Sequence, residues 1–414
     1  MAEEFFRPRP AQRRGGFRLV VDTLYRDAAG EVSSGFTFDR DVLEAFVRRV
    51  YEKDFHPMTD IEFQMFRAVW DTLDIATEKG FGKRPADDPD HDFYEELKRN
   101  NAVFAAFKVH RMQNDIAALL LDSNGVLKPF ERWAKEVMPI ADHQIYQWLE
   151  TEYDTAIIRA HQAADWRQFE REKDVLPNLK WMPSTSLHPG ADHRRFWGTI
   201  RPIDDPFWNN HRPGDRWNCK CSLSSTDEEP TPLPDFDPAD KPQDGLENNP
   251  GKDARLFSDK HPYVVNAHPG AGEAVEKLME EIEDKERMRR QRAEIKEQAR
   301  FLTSRTLHNN DFGKDIVVSM ASIKEWLNQP HKWITEKNAL LPVIENVIAE
   351  SNYIGYGPDK HDPDITMHLF EITIHGEKSW VIVRELIDGS VKLHSVSAVS
   401  YTHLRAHETR SNLV

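Results

Sequence analysis

RWNCKCSL, residues 216–223, holds both cysteines of a 414-residue chain, two positions apart. Helical periodicity precedes the stretch and a proline- and acid-rich run follows it, so its reading fixes where one fold ends. Two cysteines cannot form a disulfide framework, and a bond across one intervening residue closes only a small, strained ring. The thiols are therefore read as reduced. With His193 they supply three donors of the kind that tetrahedral zinc takes, and His211 or Asp192 is the candidate fourth. In the alternative reading the cysteines pack as small hydrophobes against Trp208 and Trp217, and His193 bonds a loop backbone. No cofactor is required by the sequence. A cysteine-protease reading lacks an acid to orient an activated thiolate.

Working outward, charged residues make up 30% and hydrophobic residues 39% of the chain, the balance of a folded polypeptide rather than a disordered one. A formal charge of −15 argues against nonspecific nucleic-acid binding through the whole surface and leaves room for a local basic groove. No apolar run approaches a membrane span, so no membrane partner is expected. The start, MAEEFFRPRPAQRRGG, lacks the apolar core of a secretory signal and implies a cytosolic, reducing setting. The last residues, VSYTHLRAHETRSNLV (399–414), follow a strand pattern without any apolar period. Back-translated, Val399–Thr409 resembles a sequencing-library adapter, and Arg410–Val414 fits an index and further adapter. The native sequence is read as ending near Ala398, and His403 and His407 are set aside.

Before the cysteines the pattern is helical. Residues 1–38 form a basic arm, with a hairpin expected around LVVDTLYRDAAGEV. Residues 39–225 form the first domain. Leu43, Phe46, Val47 and Val50 follow Asp39 as an N-cap. Thr59 and Glu62 suggest a capping box ahead of Phe63, Phe66, Val69, Trp70 and Leu73. A third helix spans roughly 92–121, and a helical run continues from Pro129 through Arg171. Short β-like pieces with proline, histidine and tryptophan close the domain.

After the cysteines, residues 226–271 read as a stiff, exposed linker and 272–300 as a charged, solvated helix. Residues 301–398 read as α+β: a strand-like DIVVSM, helices in SIKEWLN and LPVIENVIAE, then four strands with turns at Gly376 and Asp388-Gly389. The fold class is thus multi-domain, a mainly α region with a small irregular β ending, then an α+β domain built on an antiparallel sheet.

The segment His193, Gly198, Asp204-Asp205-Pro206-Phe207-Trp208 and Cys219-Lys220-Cys221 resembles the ending of the phage Mu F-like minor head protein, or phage head morphogenesis, family. TEYDTAIIRAHQAADW upstream resembles the helix that precedes it, and the resemblance runs over about residues 40–225. The paired prolines of many relatives are reduced here to Pro213-Gly214, and lysine replaces arginine between the cysteines. The resemblance implies a virion assembly role beside phage portal and capsid proteins, in the virion or the cytoplasm of the bacterial host.

Helix, helix and four-stranded meander also resemble, in order, the barnase–EndoU–colicin–RelE-type nuclease fold that such head proteins carry as a C-terminal effector. That resemblance implies an RNA substrate and an immunity protein as further partners. Metal-free RNA cleavage needs an acid, a base and cations for the phosphate. Strand alternation suggests a polar face with Glu371, Thr373, Arg384 and His394 on the side away from the helices. His331, Lys332, Lys360 and His361 lie on loops that would cap it. The alternative is a purely structural head-assembly or DNA-packaging protein, whose last domain binds a partner without catalysis.

Overall fold

A computed structural model describes residues 16–25, 35–186, 191–237, 240–359 and 362–398. The chain falls into two units, residues 1–280 and 281–414, and each is taken by itself.

The first unit is helical because its apolar residues recur at three and four. α1 (Gly16–Leu24) buries Val21 and places Tyr25 four residues on, where a hairpin was expected; residues 26–32 of that hairpin lie outside the described residues. α2 (Arg40–Glu52) starts at Asp39, whose carboxylate accepts from the Asp41 amide, as expected. α3 (Phe63–Phe81) begins differently. Its N-cap is Glu62 itself, accepting from the Gln64 and Met65 amides and paired at 2.8 Å with Arg49. α4 (His91–Ala117) and α5 (Phe130–His143) follow, and a six-residue π turn (Gln144–Leu149) joins α5 to α6 (Glu150–Glu172). The helices expected from Pro129 through Arg171 are thus present, with the π turn between them. α3 and α6 touch at Gly80, where a Cβ would come 2.3 Å from the Ile157 carbonyl oxygen. Three strands finish the unit, β1 (Asn178–Met182), β2 (Ile200–Pro202) and β3 (Ser222–Thr226), in antiparallel order β2-β1-β3.

The run after β3 is only partly the exposed linker its composition suggested. Leu246, Leu256, Phe257, His261 and Tyr263 are all buried. Two buried arginines hold this strap. Arg159 donates to the carbonyls of Gly214, Leu246, Asn248 and Leu256, and Arg212 to those of Leu246 and Asn248. Backbone acceptors taken from water must find donors, and guanidinium groups supply them here.

At the centre of the unit Lys108 and Glu152, both fully buried, pair at 3.0 Å. Tyr25 and Tyr263 donate to the Glu152 carboxylate at 2.9 and 2.7 Å, and the Tyr25 hydroxyl lies 3.0 Å from His261 Nε2. One carboxylate therefore joins α1, α4, α6 and the strap. Burial pushes the Glu152 carboxyl up and the Lys108 amine down, while their mutual attraction opposes both shifts.

The unit boundary falls within α7 (Ala271–Gln298). Beyond it come β4 (Thr306–Leu307), β5 (Ile316–Val317), α8 (Met320–Asn328), α9 (Ile334–Ala339), α10 (Ile344–Glu350), β6 (Asn352–Pro358), β7 (Thr366–Ile374), β8 (Glu377–Glu385) and β9 (Val391–Ala398). The sheet has six strands, the four expected after the helices, β5 in the strand-like DIVVSM and the unread β4, ordered β4-β5-β9-β8-β7-β6 and antiparallel except where β5 meets β9. Phe370, Ile372, Val381, Val383 and Leu393 on one face pack against Ile323, Trp326, Ile344 and Ile348 of the helices. His375 and Gly376, both at positive φ, make the two-residue turn between β7 and β8. Fully buried Lys337 donates to the Trp326 and Gln329 carbonyls and so closes the end of α8. The mixed fold class read from the sequence therefore holds. Among the described residues no helix is long and apolar enough to cross a membrane.

Lys108→Met leaves Glu152 buried and uncompensated, and it should cost about 3–5 kcal/mol in urea denaturation. Adding Glu152→Leu should recover much of that loss. Fully buried His261 has its pKa held well below 6.5 by burial and by Lys108. Its contribution to stability is thus complete above about pH 6.5 and lost as pH falls, because only the unfolded chain takes up the proton. His261→Gln should remove up to about 1.4 kcal/mol per pH unit from the fall in stability below that point. A wild-type-to-variant difference that does not change with pH would contradict this.

Candidate functional site

The cysteine pair sits on a turn whose backbone has few alternatives. Gly214 has φ +80°, and a Cβ there would overlap the Gln162 side chain of α6. Asn218 is also left-handed, at φ +58°, and its amide donates to Thr155 Oγ1 at 3.0 Å. The turn is thereby pinned to α6 at two points, with Cys219 half-buried and Cys221 buried between them and β3. His193 arrives from a separate turn of helix, Ala191–Arg194.

The three side chains expected to act together do meet. His193 Nδ1 lies 3.2 Å from Cys219 Sγ, and the donor atoms of His193, Cys219 and Cys221 all fall within 4.8 Å of one another. On its other side His193 Nε2 lies 2.8 Å from Asp215 Oδ1, and both residues are buried. Burial pushes the Asp215 carboxyl up, but His193, Arg216 and Arg212 outweigh it and hold the group below its ordinary value. The Cys219 thiol, hydrogen-bonded to Cys221, helps bring Cys221 down to about 4 against its burial; His193, Trp197 and Trp181 add to the effect. Cys219 is pushed up by that same bond and by burial. The two sulfurs and the imidazole thus lie in one hydrogen-bonded group.

The surroundings are aromatic. The Trp181 ring meets His193 edge-on at 5.1 Å, and Trp208 and Cys221 share a core with Phe196 and Phe207. Trp217, the other expected neighbour, instead stacks on Phe257 at 5.3 Å. His211, a candidate fourth ligand, lies among Phe196, Phe207 and Phe236 and outside the donor cluster. The side chain of Asp192, the other candidate, lies outside the described residues. Asp215 went unread in the sequence because Pro-Gly-Asp looks like turn chemistry alone. Beside the turn a cleft of about 310 Å³ opens between α6 and the cysteine loop, lined by Asp154, His161, Asp165 and Lys220 among others.

In the second unit the register places Glu371, Thr373, Arg384 and Lys392 on the sheet face opposite the helices, as alternation implied. His394 does not follow that alternation. Val383 pairs with Leu393 and Ile382 with Ser395, so His394 is the extra residue of a β-bulge. Half-buried there, it is held below its ordinary pKa by burial and by Arg384, with Glu325 and Asp359 acting the other way. Arg384 Nη2 contacts buried Asp359 at 2.8 Å, and its buried Nε has no hydrogen-bond partner. Glu371 pairs with Lys378 at 3.0 Å. His331 is elsewhere, 3.3 Å from Ser379 Oγ on the helix-facing side. Lys332 pairs with Glu377 at 2.6 Å, and Lys360 and His361 lie outside the described residues. The structure thus brings His394 and Arg384 together and leaves His331 and Glu371 apart from them. A chain of contacts unread in the sequence joins Tyr353 to His368 Nδ1 at 2.9 Å, His368 Nε2 to Glu385 at 2.9 Å, and Glu385 to Lys314 at 2.6 Å.

Comparison with known proteins locates both parts. Residues 128–224 match the family model of the phage Mu protein F like protein, from the residues just ahead of α5 to the middle of β3. This is a shorter span than the 40–225 over which the resemblance was read. Residues 286–394 match the model of large polyvalent protein-associated domain 3. No curated protein and no solved structure matches the chain. A stretch similar to phage Mu protein F like protein, ending in β3 just past the cysteine pair, thus precedes one similar to large polyvalent protein-associated domain 3 that spans most of the six-stranded sheet.

Proposed function

We propose that this chain is a minor head protein, active in phage head morphogenesis and docked to portal and capsid proteins in the assembling virion, and that its last domain cleaves RNA. The match over residues 128–224 carries the assembly half. It coincides with α5, α6 and the three-stranded sheet, the elements that hold the cysteine turn. Assembly in the bacterial cytoplasm, followed by packaging into the head, agrees with thiols that remain reduced.

The bulge at His394 carries the nuclease half. An imidazole kept neutral near pH 7 can take the 2′-hydroxyl proton as the 2′-oxygen bonds to phosphorus, and the imidazolium can return it to the 5′-oxygen as the P–O5′ bond breaks and a 2′,3′-cyclic phosphate is left; a neighbouring guanidinium can stabilise charge building on the phosphate. Asp359 holds Arg384 through Nη2 and so fixes the guanidinium on the face beside the bulge. An immunity protein would cover this face in the producing cell.

Two experiments test the halves separately. Co-expression with the portal protein of the same phage should co-purify this chain, and failure to associate with either portal or capsid shells removes the assembly role. The purified full chain should cleave single-stranded RNA, with His394→Ala and Arg384→Ala each lowering kcat/KM by about 10²–10⁴-fold. The acid limb of the profile should lie below pH 6.5, since the folded histidine gives up its proton more readily than a free one. Absence of cleavage leaves the second domain as a binding module without catalysis, and cleavage that both variants retain removes His394 and Arg384 from the reaction.

A further inference from the structure

The donor cluster at the end of the phage Mu protein F like region has the arrangement of a metal site with its supporting shell already in place. We propose that His193 Nδ1, Cys219 Sγ and Cys221 Sγ bind one zinc ion, and that Asp215 positions His193 for it. This does not depend on the assembly or the nuclease reading.

Three observations carry the inference. The donors are two sulfurs and one imidazole nitrogen, the soft and borderline set that zinc selects over calcium or magnesium. They converge from two separate segments to within 4.8 Å of one another, although 26 positions separate His193 from Cys219. The ligating nitrogen is also already chosen. Asp215 Oδ1 sits 2.8 Å from Nε2, and Nδ1 is the ring nitrogen on the side of the sulfurs, 3.2 Å from Cys219 Sγ. A carboxylate behind the distal nitrogen of a ligating histidine is the usual outer partner of zinc, fixing ring orientation and tautomer. Asp215 is 1% exposed, and Arg216 Nη1 holds it at 3.2 Å, so its own position is fixed.

The ion would act as a clamp. It would join the helical turn at Ala191–Arg194 to the cysteine turn, which Thr155 and Gln162 already fix against α6. Binding would displace the thiol protons, so affinity should fall as pH is lowered. Among the described residues three donors gather, and water or a further side chain would complete the tetrahedron.

Cobalt(II) is the probe, because tetrahedral thiolate coordination gives it intense visible d–d bands and a sulfur-to-metal charge-transfer band. The full chain, stripped of metal under reducing conditions, should take up one equivalent of cobalt with both signatures, and zinc should displace it. Asp215→Asn should keep the spectrum while weakening binding by about 10–100-fold. Cys221→Ser should lose much of the charge-transfer intensity. Should a variant fail to fold, the titration of the unmodified chain still decides. A folded, reduced chain that shows no charge-transfer band, and carries no stoichiometric zinc as purified, overturns the proposal. An Asp215→Asn variant that binds as tightly as the unmodified chain overturns the role given to Asp215.

Discussion

The contact between Asp215 and His193 organises the end of the helical unit. A carboxylate this deeply buried is costly unless it is paired, and here it meets an imidazole on one side and Arg216 on the other. Its second oxygen accepts from the Arg212 amide, and its carbonyl accepts from the Gln243 amide. Arg212 in turn reaches the strap carbonyls at Leu246 and Asn248, which Arg159 also holds. Through this chain of contacts the orientation of one histidine ring is tied to a helix, a cysteine turn and the strap that follows. Loosening Asp215 would therefore disturb more than a single side chain.

Buried charge is used twice in this unit, for two purposes. Lys108 and Glu152 sit at the bundle centre with two tyrosines, and they connect α1 and the strap to the helices around them. Such a pair adds little to net stability compared with apolar residues of the same shape, but it penalises any other arrangement heavily. Asp215 and His193 lie beside two thiols. The first arrangement ties α1, α4 and α6 to the strap, and the second lies where the zinc proposal places its ligands.

How much of this could be read from the sequence varies with the physics involved. The helices were legible because apolar side chains such as Leu43, Phe46, Val47 and Val50 repeat at the helical period and are buried as that period requires. The order of α+β elements in the second unit was legible from alternation and from turn residues such as Gly376. The meeting of His193 with the cysteines was legible as a candidate through residue chemistry, whereas Asp215 was hidden inside turn composition. The strap was misread because proline and acid content dominated its average. Its few large apolar residues are held from far along the chain: Arg212 takes the Leu246 carbonyl, Phe257 packs on Phe104 and Trp217, and Tyr263 bonds Glu152. The bulge at His394 could not be foreseen, since register depends on the partner strand rather than on the strand itself.

The central claim is that the cysteine turn is a prepared thiolate–imidazole site rather than a pair of packed thiols. X-ray absorption at the zinc edge of the full chain tests it most directly, because it counts the neighbours of the ion by element. The account predicts two sulfurs at about 2.3 Å and imidazole nitrogen at about 2.0 Å. A shell of oxygen and nitrogen alone, with no sulfur, would contradict it.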